Sequence, residues 1–264
     1  MKSFWLIFRA ELKRYYAESW SRIGDTVSWL VYAVMMFAAI VVVLLGVTDG
    51  NFGRKEQLLV LVGWLTYMIA SDCMAELPGM ITDETEAGTL EQLCITPIPL
   101  WQLLIIRSLV FFFGAGARGL LMGVLLFFFV SPQPLSPALL LLFFISLIGA
   151  YGMGFLFAGL ALILKQVSSL TGLVFSLMIF TTGAFVGLEK LGWVDSVFRI
   201  IFPLTWGISL MRSILTAQTS LSSLLRSGEL IGIFLHSITY LAIGFWIFGL
   251  GYRNARSKGS LSQY

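Results

Sequence analysis

An all-α membrane protein is the fold that this sequence predicts, on three observations. Of 264 residues, 58% are hydrophobic and only 12% charged, about half the charged fraction of a soluble domain. Six apolar segments each approach or exceed the roughly 20 residues a helix needs to cross a hydrocarbon core. Breakers separate most of them: Thr48-Asp49-Gly50-Asn51, Pro78-Gly79 and Ser131-Pro132-Gln133-Pro134. The net charge of +3 leaves no basic footprint for nucleic acid. One histidine, two cysteines (Cys73 and Cys94) and no CxxC argue against a metal site.

Residues 1–22 open the chain. Phe4, Trp5, Phe8, Leu12, Tyr15 and Tyr16 share one helical face, and Lys2, Arg9, Lys13 and Arg14 lie mostly off it. An aromatic face opposite a basic one predicts an amphipathic helix lying in the membrane interface. The expected spans follow at 27–46, 57–78, 101–130, 138–164, 168–187 and 230–250. Between the last two, residues 188–229 carry Glu189, Lys190, Asp195, Arg199, Arg212 and Arg226. That stretch is too polar for a span and too apolar for a free loop, and it reads as short amphipathic helices re-entering the membrane surface from outside. Lys and Arg cluster before the first span and after the last. The positive-inside rule then places both termini in the cytoplasm of a multi-pass cell-membrane protein.

The same orientation puts DETEAGTLEQLCITP, residues 83–97, on the cytoplasmic side. It holds Asp83, Glu84, Glu86 and Glu91 with no Lys or Arg among them. Asp83 and Glu86 have the spacing of a capping box, which predicts a helix over 84–94 ending before Thr96-Pro97. Gly88 in mid-helix would cost about 1 kcal/mol relative to Ala and permit a close approach. The cytoplasmic leaflet is negative and repels such a segment, so its match is a protein surface bearing Arg or Lys.

Charges inside the spans fall at two depths. Asp72 and Glu76, four residues apart near the cytoplasmic end of the second span, are expected to pair with Arg107 near the same end of the third. Arg118 lies about 16 Å further along that helix, at 1.5 Å per residue. Two readings stay open for it: bonding to carbonyls and hydroxyls within the bundle, or facing a transport path that favours an anionic substrate. Gly114, Gly116 and Gly119 match a dinucleotide-binding fingerprint, but inside a span and without a following acid the match carries no such meaning. Small residues at these positions, at Ala150, Gly154 and Ala158, and at Gly172 and Ser176, suit close helix packing, either within the chain or at a seam between two chains. No catalytic set emerges, so the chain is not expected to be an enzyme.

Glu86-x-Gly88-Thr89-Leu90-Glu91 followed by Pro97, the interfacial first helix, the six spans and the external segment with Pro203 together resemble the type-2 ATP-binding-cassette (ABC) permeases, which include antibiotic, drug and lipid-linked glycan exporters. The resemblance covers nearly the whole chain. It implies that 83–97 is a coupling helix docking on a separate ABC ATPase subunit, present in two copies, with Glu86 and Glu91 at the contact. ATP and magnesium would sit in that subunit, with no cofactor in this chain. It further implies a second permease chain, in a homo- or heterodimer, and outward movement of a lipophilic or amphipathic substrate (drug, antibiotic, lipid or lipid-linked glycan) by alternating access. The rival reading is a stand-alone secondary transporter or channel. It predicts inverted repeats and polar broken helices at mid-depth, and no convincing repeat is visible.

Overall fold

The computed structural model describes residues 2–21, 23–88, 100–130, 136–164, 167–188, 191–217 and 221–257. Among them there are ten helices and no strand: α1 (Lys2–Ser21), α2 (Ile23–Val47), α3 (Arg54–Glu86), α4 (Leu100–Val130), α5 (Pro137–Leu164), α6 (Ser168–Thr181), α7 (Trp193–Ile201), α8 (Pro203–Ala217), α9 (Leu221–Arg226) and α10 (Glu229–Ser257). Of these, α2, α3, α4, α5 and α10 are long and apolar enough to cross a membrane.

Two expected boundaries are corrected. The span over 168–187 is instead the 14-residue α6 and a non-helical stretch after it. Fourteen residues reach about 21 Å, short of a core about 30 Å thick. Gly183 adopts φ +72°, where a left-handed residue ends a helix. The hydroxyls of Thr181 and Thr182 turn back onto the carbonyls of Leu177 and Met178. Five helices, not six, therefore have crossing length among the described residues. The second correction concerns Pro78-Gly79, read above as a breaker. The helix runs through both and on to Glu86. An internal proline costs about 3 kcal/mol, and here the burial of Leu77, Pro78 and Ile81 offsets it.

Helix α5 is the hub. It is parallel to α3: Leu139 lies by Val62 and Leu65, and further along Gly154 rests on the backbone of Cys73 and Met74. It is also parallel to α10. Gly152 faces Gly244 and Gly159 faces Gly251, so closely that a Cβ on any of the four would run into the opposing backbone. Ala150 and Ala158 are fully buried, so the small-residue stripe on α5 is consumed inside the chain. Gly172 on α6 touches nothing within 4 Å of its would-be Cβ. Helix α4 runs antiparallel to α3, with Gly123 against Leu65 and Gly119 against Ile69. Gly114 takes the ring of Tyr15, and Gly116 lies at Phe144. The fingerprint glycines are thus packing positions.

Parallel α5 and α10 oblige the chain to return between Leu164 and Glu229. Helix α6 makes the return, with Phe175 O accepting from Tyr67 Oη at 2.9 Å and Ala184 beyond it against Gly63. Helices α7 and α8 then form a hairpin that turns at Phe202, whose backbone is extended, before Pro203. Helix α8 is mostly buried and runs from Gly149 at Pro203 to the start of α3, where Lys55 Nζ reaches Thr216 O at 3.4 Å.

Candidate functional site

The candidate site is the end of α3 and what surrounds it. Helix α3 stops because Gly88 takes φ +67°, with Ala87 N donating back to Asp83 O at 2.9 Å and Gly88 N to Thr85 O at 3.0 Å. A new helix beginning at Asp83 with Gly88 in its middle is therefore corrected. Asp83, Glu84 and Glu86 belong to the last turns of the long helix, and Gly88 is its stop. Thr89, Leu90, Glu91, Cys94 and Pro97 lie outside the described residues.

The acidic side chains there have different surroundings. Asp83 and Glu86 are exposed, while Glu84 turns inward to accept from Arg107 Nη1 at 3.0 Å. The same guanidinium bonds Glu11 of α1 through Nε at 3.3 Å, and Glu11 also accepts from Arg14 at 3.0 Å. Arg107 is only 10% exposed and Glu11 12%, so the bridge is shielded from solvent. It joins α1, α3 and α4 at one point. Helix α1 is further fixed by Tyr15, edge-on to Phe111 with ring centroids 6.5 Å apart.

The expected pairing of Asp72 and Glu76 with Arg107 is thus overturned, and the reason is the length of α3. Because α3 continues eight residues past Pro78, Asp72 lies about 18 Å from Glu84 along the helix, at 1.5 Å per residue. The antiparallel register brings Arg107 level with Glu84 and Arg118 level with Asp72. Arg118 is the positive charge acting on both Asp72 and Glu76, and the three line a cavity of about 410 Å³ together with Asp25 of α2. Trp29 of α2 lines the same cavity. The Arg118 guanidinium stands over the Phe111 ring, 5.3 Å from its centroid, a cation–π distance. A second cavity of about 290 Å³ between α1 and α4 shares Arg118, Glu76 and Asp25. Arg118 therefore does face a cavity, but in company with carboxylates.

This arrangement makes a prediction. Arg118→Ala removes the cation that half-buried Asp72 and Glu76 share and is expected to lower stability by about 2 kcal/mol, read as the unfolding midpoint in mixed micelles. Adding Glu76→Gln to the same variant is expected to recover most of it. An unchanged midpoint in Arg118→Ala would remove the charge pairing from the account.

Glu11 was missed by reading the sequence, although a signal existed. It is the one acid between Phe8 and Tyr15, four residues before Tyr15 and hence on the packed side of α1. Pro203, expected at an external turn, opens α8 and is buried against Gly149. Arg212 of the same helix is buried and donates to Ala184 O at 3.3 Å. Asp195 and Arg199 pair across one turn of α7 at 2.6 Å. Cys73 is a buried free thiol, and among the described residues no group of acids, His or Cys could hold a metal.

The arrangement offers no nucleophile with a base. It offers a charged bracket at the end of a long helix inside an apolar bundle, which suits transmission of movement rather than bond chemistry. Comparison with curated proteins gave no match. The chain does match the family described as ABC-2 type transporter over residues 2–216. Since that covers most of its length, the chain belongs to the ABC-2 type transporter family, as a multi-pass transmembrane permease that is not itself catalytic.

Proposed function

We propose that the chain is the membrane half of an exporter in the cell membrane, with both termini in the cytoplasm and an ABC ATPase subunit docked on the stretch that begins at Asp83. Two permease chains, identical or different, line the path between them. Two ATPase copies, which carry the ATP and magnesium, close on each other and push on 83–97. The path opens outward by alternating access, and the substrate is lipophilic or amphipathic.

One observation carries this reading. The end of α3 is bonded through Arg107 to α4 and α1, so a push delivered just past Glu86 enters three helices at once. Exposed Asp83 and Glu86 are left to face a partner, while Glu84 serves the bracket. A stand-alone secondary transporter would have no use for a force-bearing bracket beside an exposed acidic end.

The test is co-purification. Glu86→Lys with Glu91→Lys is expected to release the ATPase at least tenfold more readily than wild type, while the permease remains folded and inserted. If the ATPase stays bound, or if none binds the wild-type chain, the docking reading fails.

A further inference from the structure

The one histidine sits beside a helix end whose carbonyls need partners from another element. Helix α7 ends at Ile201 and the hairpin turns at Phe202. The last four carbonyls of any helix lack partners within it. Here that end lies beside Tyr240, about 16 Å along α10 from Glu229 at 1.5 Å per residue, within a helix long and apolar enough to cross a membrane, where backbone groups need protein partners. Phe198 O receives Phe202 N at 2.9 Å, and Phe202 O receives Thr205 N at 3.2 Å. The carbonyls of Ile200 and Ile201 depend on α10.

Two side chains of α10 meet that need. His236 Nε2 lies 3.0 Å from Ile200 O, and Tyr240 Oη reaches both Ile200 O and Ile201 O. A phenol has one proton to donate. The assignment that serves both of these carbonyls gives Ile200 O to His236 Nε2–H and Ile201 O to Tyr240. The imidazole is held edge-on between Trp206 of α8, at 5.8 Å, and Tyr240, at 5.0 Å. Its Nδ1 is buried without a hydrogen-bond partner.

We propose that His236 and Tyr240 are positioning residues for transport: they bind the tip of the α7–α8 hairpin to α10, and the hairpin and α10 travel as one body during the cycle. Parting them would leave both carbonyls without their protein donors. Helix α10 is in turn locked to α5 through the facing glycines, so the hairpin belongs to the moving block that contains α5. The tie between hairpin and α10 rests on the permease reading alone, and their movement as one body rests on the docking proposal as well.

The experiment places spin labels at Trp193→Cys and Ile231→Cys, both exposed at 77% and 54%, in a background of Cys73→Ala and Cys94→Ser. The full permease is studied in lipid vesicles by electron paramagnetic resonance. One narrow distance is expected in the otherwise unaltered chain. His236→Gln, which keeps an N–H donor, is expected to preserve it. His236→Leu with Tyr240→Phe is expected to widen the distribution at least twofold. With the ATPase subunit bound, ATP and vanadate are expected to leave the distance unchanged. A double variant as narrow as the parent overturns the tie, and a parent distance that shifts on trapping overturns the one-body movement. The comparison of parent and variant distances needs no ATPase, so a failure of the docking reading would leave the test of the tie standing; only the trapping measurement depends on the ATPase.

Discussion

Gly152→Leu is expected to part α5 from α10 and cost at least about 3 kcal/mol of stability, the upper range for overpacking. In lipid there is no hydrophobic drive between helices, so association depends on close packing and hydrogen bonds. At this seam the contact is backbone on backbone. A Cβ at Gly152 would strike Tyr240 and Leu241, and one at Gly159 would strike Ile247 and Phe248. Rotamer changes relieve clashes with side chains but not with main chain, so the helices must separate. The effect is measured as the unfolding midpoint in mixed micelles. Gly249→Leu is the control, because a Cβ there meets nothing within 4 Å, and its expected change is within about 0.5 kcal/mol. Equal effects from the two variants would dismiss the seam as the cause.

Arg107→Ala carries the second large effect. The guanidinium bonds Glu11 and Glu84 at 3.3 and 3.0 Å, with Arg14 as a second cation on Glu11, and Glu84 is 24% exposed, so solvent screens the group only in part. Removing one member of such a set leaves an uncompensated charge, typically costing about 3 kcal/mol. Arg107→Ala is expected to show a loss of that order and to free α1 from α3. Proteolysis within residues 1–22 should then rise at least tenfold. Glu84→Gln in the same chain removes the stranded charge, since Glu11 keeps Arg14, and is expected to recover most of the stability, but not the protection of α1. That split separates a bracket from a mere charge balance. If Arg107→Ala leaves both stability and protection unchanged, α1 is held by Tyr15 and Phe111 instead.

The long helices were legible because lipid imposes one answer on an apolar run: a helix that satisfies its own backbone. Residues 101–130 and 138–164 became α4 and α5 with ends within a residue. The charged bracket was not legible, although Arg107 and Glu84 had both been singled out. Assigning partners needed the register between α3 and α4, and that register depended on whether α3 ended at Pro78. A proline weakens a helix by a fixed local amount, whereas the burial that compensates Leu77 and Ile81 comes from neighbours distant in the chain. The short α6 had a local signal in Thr181-Thr182-Gly183, but composition alone favoured a full span.

By itself, then, the order of residues determined the solvent this chain lives in, the positions of α2 to α5 and α10, the family, and the stretch of acid that distinguishes its middle. Only the tertiary structure decided which cation serves which carboxylate, that α5 lies parallel to α10, and that His236 caps a helix end from another element. The division has one physical source. Hydrophobicity and backbone satisfaction act over neighbouring residues and can be read along the chain. Depth, register and hydrogen bonding between helices are settled only when small residues such as Gly152 and Gly244 let particular backbones meet.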